Sequence, residues 1–236
     1  MTSKITSITA TRRNTVARAT GTEPDSQAST STLQEYILNG QVVRVPLGAV
    51  QQMPEPTQTA VFAAVYAALG LGTWASLAYV APAIATYAPW LAESFVSNRG
   101  IAIGGLFLLA GVAHFTTHDA FTNMYPKQGA WGFWSLPGSP SFHVNWTGVA
   151  EILGGGALVA TRLAPGLKEA LPWVEPAAGL GLFLLTLAVT PANIYMFTHN
   201  APGPTPLPVP WQGHLFRLVM QVVLLAAWWD VAFPSA

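Results

Sequence analysis

Apolar positions along this chain fall into long, nearly unbroken runs. Five of those runs approach the roughly 20 residues needed to cross a hydrocarbon core. The first lies within 59–87, TAVFAAVYAALGLGTWASLAYVAPAIATY, where Pro82 is expected to end or kink a helix. The others occupy about 98–118, 144–162, 174–197 and 213–233. Trp90, Trp131, Trp134, Trp146, Trp173, Trp211, Trp228 and Trp229 lie near the proposed ends, as an aromatic belt requires. The connecting segments are rich in helix breakers. Residues 119–142 carry Pro126, Pro137, Gly138 and Pro140, and APGPTPLPVP at 201–210 predicts a stiff, extended loop.

Ahead of the first run the pattern changes. EYILNGQVVRV, residues 35–45, is two short apolar stretches about Asn39-Gly40, the strongest short hairpin signal. An isolated hairpin is marginal in water, so this one is expected to lean on the helices or on a partner. Further upstream, MTSKITSITATRRNTVARAT holds four basic residues, eight Ser/Thr and no acid. That is transit-peptide composition, without the apolar centre of a secretory signal. Its Ser/Thr content favours a plastid, with a mitochondrion as the alternative. VARA, ending at Ala19, resembles a plastid-processing site. The expected organisation is a transit peptide over 1–19, a polar linker with a short hairpin over 20–58, an extra transmembrane helix over 59–87 and a membrane domain over 98–233.

Composition supports the membrane reading. Of 236 residues, 51% are hydrophobic and 8% charged, against about 25% charged in soluble domains. No charge occurs from Pro56 to Ala92, from Ile101 to His118 or from Pro176 to Phe216. Net charge is zero and basic residues do not cluster beyond the N-terminus, so the footprint of a nucleic-acid binder is absent. With no cysteine, disulfides and thiolate chemistry are excluded. The fold class expected is an all-α integral membrane protein: a four-helix transmembrane bundle plus one additional N-terminal transmembrane helix.

The exceptions inside the apolar runs carry the functional question. Glu151 interrupts NWTGVAEILGGGALVA (145–160), and a carboxylate in a bilayer costs about 2.5–3.5 kcal/mol on insertion scales. Tracing the direction of each span brings His114, Glu151, Asn193, Arg217 and Gln221 to the membrane side that receives 119–142. The stripes agree: His214, Arg217 and Gln221 are spaced by three and four, as are Thr186, Thr190, Asn193 and Phe197. Pro191 frees the carbonyl of Leu187 nearby. Buried charges are normally paired, and Arg217 is the expected cation for Glu151. Three readings stay open: a ligand or redox-cofactor site, an ion pair that fixes helix register, and a protein-docking surface. His114 and His118 form an H-x3-H pair that Glu151 or Asp119 could complete, but no established metal motif is present. GGLFLLAG and ILGGGALV place their glycines inside apolar helices, where they serve packing rather than phosphate binding.

AGVAHF (110–115), TGVAEILGGGALV (147–159), TPANIYM (190–196) and RLVMQ (217–221) together resemble the DoxX family of small membrane proteins. The likeness covers about 99–233. It implies a four-helix bundle whose polar site is His114, Glu151, Asn193, Arg217 and Gln221. The chain departs from that family in its N-terminal helix and in Val219, where the family usually has proline. The resemblance also implies a redox or quinone context. The function expected is an accessory membrane subunit holding a quinone-like molecule, alongside other membrane-protein subunits in the lipid bilayer. The alternative is a non-catalytic scaffold or assembly factor of a plastid membrane complex.

Overall fold

A computed structural model of the chain describes residues 33–204 and 209–234. The transit peptide expected over 1–19, the first part of the polar linker, and the centre of the Pro-rich loop at 205–208 lie outside the described residues. Two strands, β1 (Leu33–Leu38) and β2 (Gln41–Pro46), pair antiparallel. Asn39 and Gly40 turn between them with φ of 51° and 74°, the double left-handed conformation of a tight hairpin. Seven helices follow: α1 (Glu55–Tyr87), α2 (Pro89–Thr116), α3 (His118–Met124), α4 (Pro140–Leu163), α5 (Pro165–Ala170), α6 (Val174–His199) and α7 (Trp211–Ala232). Pro82 does not end α1. A π-helical turn at Ser76–Val80 precedes it, and the helix runs on to Tyr87.

Among the described residues four helices, α1, α2, α6 and α7, are long and apolar enough to cross a membrane. This corrects the expectation of a four-helix bundle with one further N-terminal span. The helix at 55–87 is one of the four. The helix at 140–163 falls outside them, because Asn145, Thr147, Glu151, Thr161 and Arg162 dilute its apolar character. The outward faces are apolar: Leu71 of α1 is 67% exposed and Leu109 of α2 69%. Such surface on long apolar helices fits contact with a lipid bilayer.

Glycine sets the closest helix contact. Gly104 and Gly111 of α2 face Gly155 and Gly148 of α4, and a Cβ added to Gly111 would lie 2.7 Å from the Gly148 carbonyl oxygen. α6 packs on α4 and on α7, and α1 lies along α7. At one end, Leu158, Leu182, Trp228 and Val231 form a core, with Phe107 edge-on to Trp228 at 5.1 Å. At the other, Trp131, Tyr195, Ile194 and Met196 form a second core with Tyr36 and Val45 of the hairpin. The hairpin therefore leans on the helices. Asn123 Nδ2 donates to the Ile37 carbonyl at 2.7 Å, Gln34 donates to the His199 carbonyl, and Lys127 lies over the Tyr36 ring at 5.1 Å. Burial, and next the neighbouring Tyr195 hydroxyl, hold the Tyr36 hydroxyl protonated well above the ordinary range.

Trp131 and Trp228 are both fully buried, which removes them from the expected interfacial belt. Trp90, Trp173 and Trp211 are exposed, as belt residues would be.

Candidate functional site

The two ends of the helix assembly treat their charges differently. At the far end, Arg99 pairs with Asp230, and Arg162 Nη2 and Lys168 Nζ each lie 2.8 Å from a different oxygen of Glu175. These acids and bases neutralise one another. At the hairpin end no acid–base pair of Arg or Lys with a carboxylate forms within the helices among the described residues, and α6 divides the polar groups into two sets.

The first set is built on α2 and α4. His114 sits in the last turn of α2 and Glu151 near the middle of α4, and the close approach of Gly111 to Gly148 brings the two together. His114 Nδ1 lies 3.4 Å from Glu151 Oε2 and donates to the Ala110 carbonyl at 2.9 Å. With the Nδ1 proton so used, Nε2 is the nitrogen left to accept. The imidazole stacks on Phe121 at 4.0 Å. The Glu151 side chain is 10% exposed, and its Oε2 has no hydrogen-bond partner.

Both residues line a cavity of about 540 Å³, together with Tyr66, Tyr125, Trp134 and Asn193. Tyr125 Oη and Trp134 Nε1 are buried and lack a hydrogen bond of ordinary length. His143 closes one side, stacked on Tyr125 at 4.9 Å. Its nitrogens are already occupied: Nε2 donates to the Pro137 carbonyl at 2.9 Å and Nδ1 accepts from Trp146 Nε1 at 3.3 Å. His118 Nδ1 likewise lies 3.0 Å from the His114 carbonyl.

The second set lies between α6, α7 and α1. Arg217 is not the partner of Glu151; among the described residues no ion pair joins them. The two residues border different cavities, and Asn193 of α6 lines both. α6 is the wall between them, so shared depth did not mean shared contact. Arg217 Nη1 instead meets Met196 Sδ at 2.9 Å. Gln221 Nε2 donates to Thr190 Oγ1 at 3.1 Å, and Thr190 Oγ1 donates to the Thr186 carbonyl at 2.8 Å. That chain fastens α7 to α6, so Gln221 acts as helix-joining glue.

The carbonyl of Leu187, freed by Pro191, accepts from Tyr66 Oη at 3.0 Å. Tyr66 belongs to α1 and was not among the residues expected at the site. Its spacing gave no signal, because the run at 59–87 read as an addition outside the bundle.

A family model described as a domain of unknown function, DUF8561, matches residues 103–232. The chain belongs to that family. The match runs from α2 to the end of α7 and takes in both sets of polar residues. No curated protein matches the chain, nor does any solved structure. The DUF8561 match overturns the resemblance to DoxX: no DoxX model is found on the chain. The four short motifs that suggested it combine small residues for close packing with single polar residues in apolar helices. Unrelated membrane bundles meet the same demands.

Proposed function

We propose that this DUF8561 protein is an accessory membrane subunit that binds a small, largely apolar ring compound with a hydrogen-bonding oxygen, of the quinone type, in the cavity beside Glu151. The observation that carries the reading is Glu151 Oε2, buried and without a hydrogen bond on the wall of that cavity. A buried polar atom without a hydrogen bond is costly, and a ligand hydroxyl donating to it would supply one. The volume suits a small-molecule site, and its aromatic walls with a few convergent polar groups suit a flat ring. His114 Nε2, an acceptor, suits a ligand hydroxyl, and Tyr125 Oη and Trp134 Nε1, which can donate, suit a ligand carbonyl.

The test is gentle purification from native membranes, organic extraction and quantification of bound quinone. Wild type is expected to carry it in stoichiometric amount. Glu151→Leu, close in size but unable to hydrogen-bond, is expected to lower occupancy about tenfold or more. Equal occupancy in the two proteins, or no quinone in either, overturns the reading.

The second reading is the non-catalytic scaffold. It draws on the far end of α1 and the start of α2, where Tyr79, Tyr87 and Trp90 are 62%, 87% and 70% exposed. The plastid address belongs to this proposal too and rests on the composition of 1–19. Sequencing of the mature N-terminus is expected to begin near residue 20, and an intact Met1 would overturn the address.

A further inference from the structure

On the other face of α6 lies a groove of about 340 Å³ between α1, α6 and α7. Its walls are mostly apolar, with Val65, Ile194, Phe197 and Leu218 among them, and Arg217 supplies the cationic group. Four arginines fall among the described residues. Arg44, Arg99 and Arg162 each have a carboxylate within salt-bridge distance. Arg217 has none among the described residues. Its contact at Nη1 is a thioether, a weak acceptor that brings no countercharge.

Position narrows the occupant. Arg217 is the seventh residue of α7, about 9 Å along the helix from its first residue. Trp211, 66% exposed, opens that helix as an interfacial anchor. That places Arg217 in the headgroup-side half of α7, where an anionic lipid phosphate can reach it. A guanidinium matches a phosphate in shape and charge, and the apolar walls leading away from it match a hydrocarbon chain.

We propose that this groove binds an anionic phospholipid of the bilayer, with its phosphodiester on Arg217 and one acyl chain along the wall of Ile194 and Leu218. This site is separate from the cavity beside Glu151 and does not depend on the ligand proposed there.

The experiment uses the full chain in mild detergent. Thermal unfolding and native mass spectrometry are followed with added phosphatidylglycerol, phosphatidylcholine or oleate. Phosphatidylglycerol is expected to raise the melting temperature and to stay bound, and phosphatidylcholine is not. Arg217→Met is expected to weaken phosphatidylglycerol binding about tenfold, the loss of one charge-assisted contact. Arg217→Lys should retain part of the effect. Leu218→Trp keeps the charge but fills the groove; it should also lose the lipid, and it decides the matter if Arg217→Met fails to fold. Glu151→Leu should leave lipid binding intact, so failure of the quinone reading does not carry over. Equal response to the two phospholipids, unchanged binding in both groove variants, or a shift with oleate alone would overturn the proposal.

Discussion

Trp131→Ala is expected to cost about 3–5 kcal/mol of stability, the range for removing a fully buried aromatic. Trp131 is 0% exposed and ties three parts of the chain together. Its Nε1 donates to Thr198 Oγ1 of α6 at 3.0 Å, and its carbonyl accepts from Thr59 Oγ1 of α1 at 2.7 Å. Its ring lies edge-on to Tyr195 at 5.9 Å and against Phe62 at 4.8 Å. Truncation would leave a cavity where the hairpin, α1 and α6 meet, and would strip Thr198 of a donor. Trp131→Phe should fall between, keeping most of the ring while losing the Nε1 bond at about 1 kcal/mol. Thermal unfolding in mild detergent checks both. An alanine variant as stable as wild type would remove Trp131 from its place at the centre of this end.

Gly155→Leu is the second large effect. A Cβ there would run into the Gly104 carbonyl oxygen and lie 2.7 Å from the Leu108 backbone nitrogen. Both are main-chain atoms of α2 and cannot rotate away, so the two helices would have to separate along the Gly104–Gly111 seam. That separation also pulls His114 from Glu151. Overpacking typically costs about 1–3 kcal/mol, and an immovable backbone on the far side puts this case at the upper end. Gly105→Leu is the control: nothing lies within 4 Å of a Cβ at that neighbouring position. The Gly155 variant should unfold at lower denaturant and the Gly105 variant like wild type. Equal behaviour of the two would refute close glycine packing as what holds this pair.

These two residues also show what could and could not be read from the sequence. The hairpin at Asn39-Gly40 was legible because a tight turn is specified by adjacent residues. The long apolar runs were legible because bilayer thickness sets their length. Helix direction gives depth, and depth put His114 beside Glu151, but it put Arg217 and Gln221 there as well and made Arg217 the expected partner.

The partner of Glu151 was not legible, because rotation about the helix axes and the place of α6 between α4 and α7 decide contact. Depth alone groups residues that a helix can keep apart. Trp131 lay in a segment whose prolines and glycines read as a plain linker. Its left-handed φ of 56° and its burial follow from long-range packing that no local pattern encodes. Tyr66 was missed for the same reason: its hydroxyl reaches a residue 121 positions away.

The bond between Tyr66 and Leu187 also bears on where this protein can be cut. The family match begins at residue 103, yet the oxygen released by Pro191 is served from α1, upstream of that boundary. In hydrocarbon an unserved carbonyl costs several kcal/mol. A fragment trimmed to the matched region would expose that oxygen, so the matched region and the folding unit differ in extent. Biosynthetic order suits the arrangement: Tyr66 leaves the ribosome well ahead of Leu187, so α6 enters the membrane with its missing donor already waiting there.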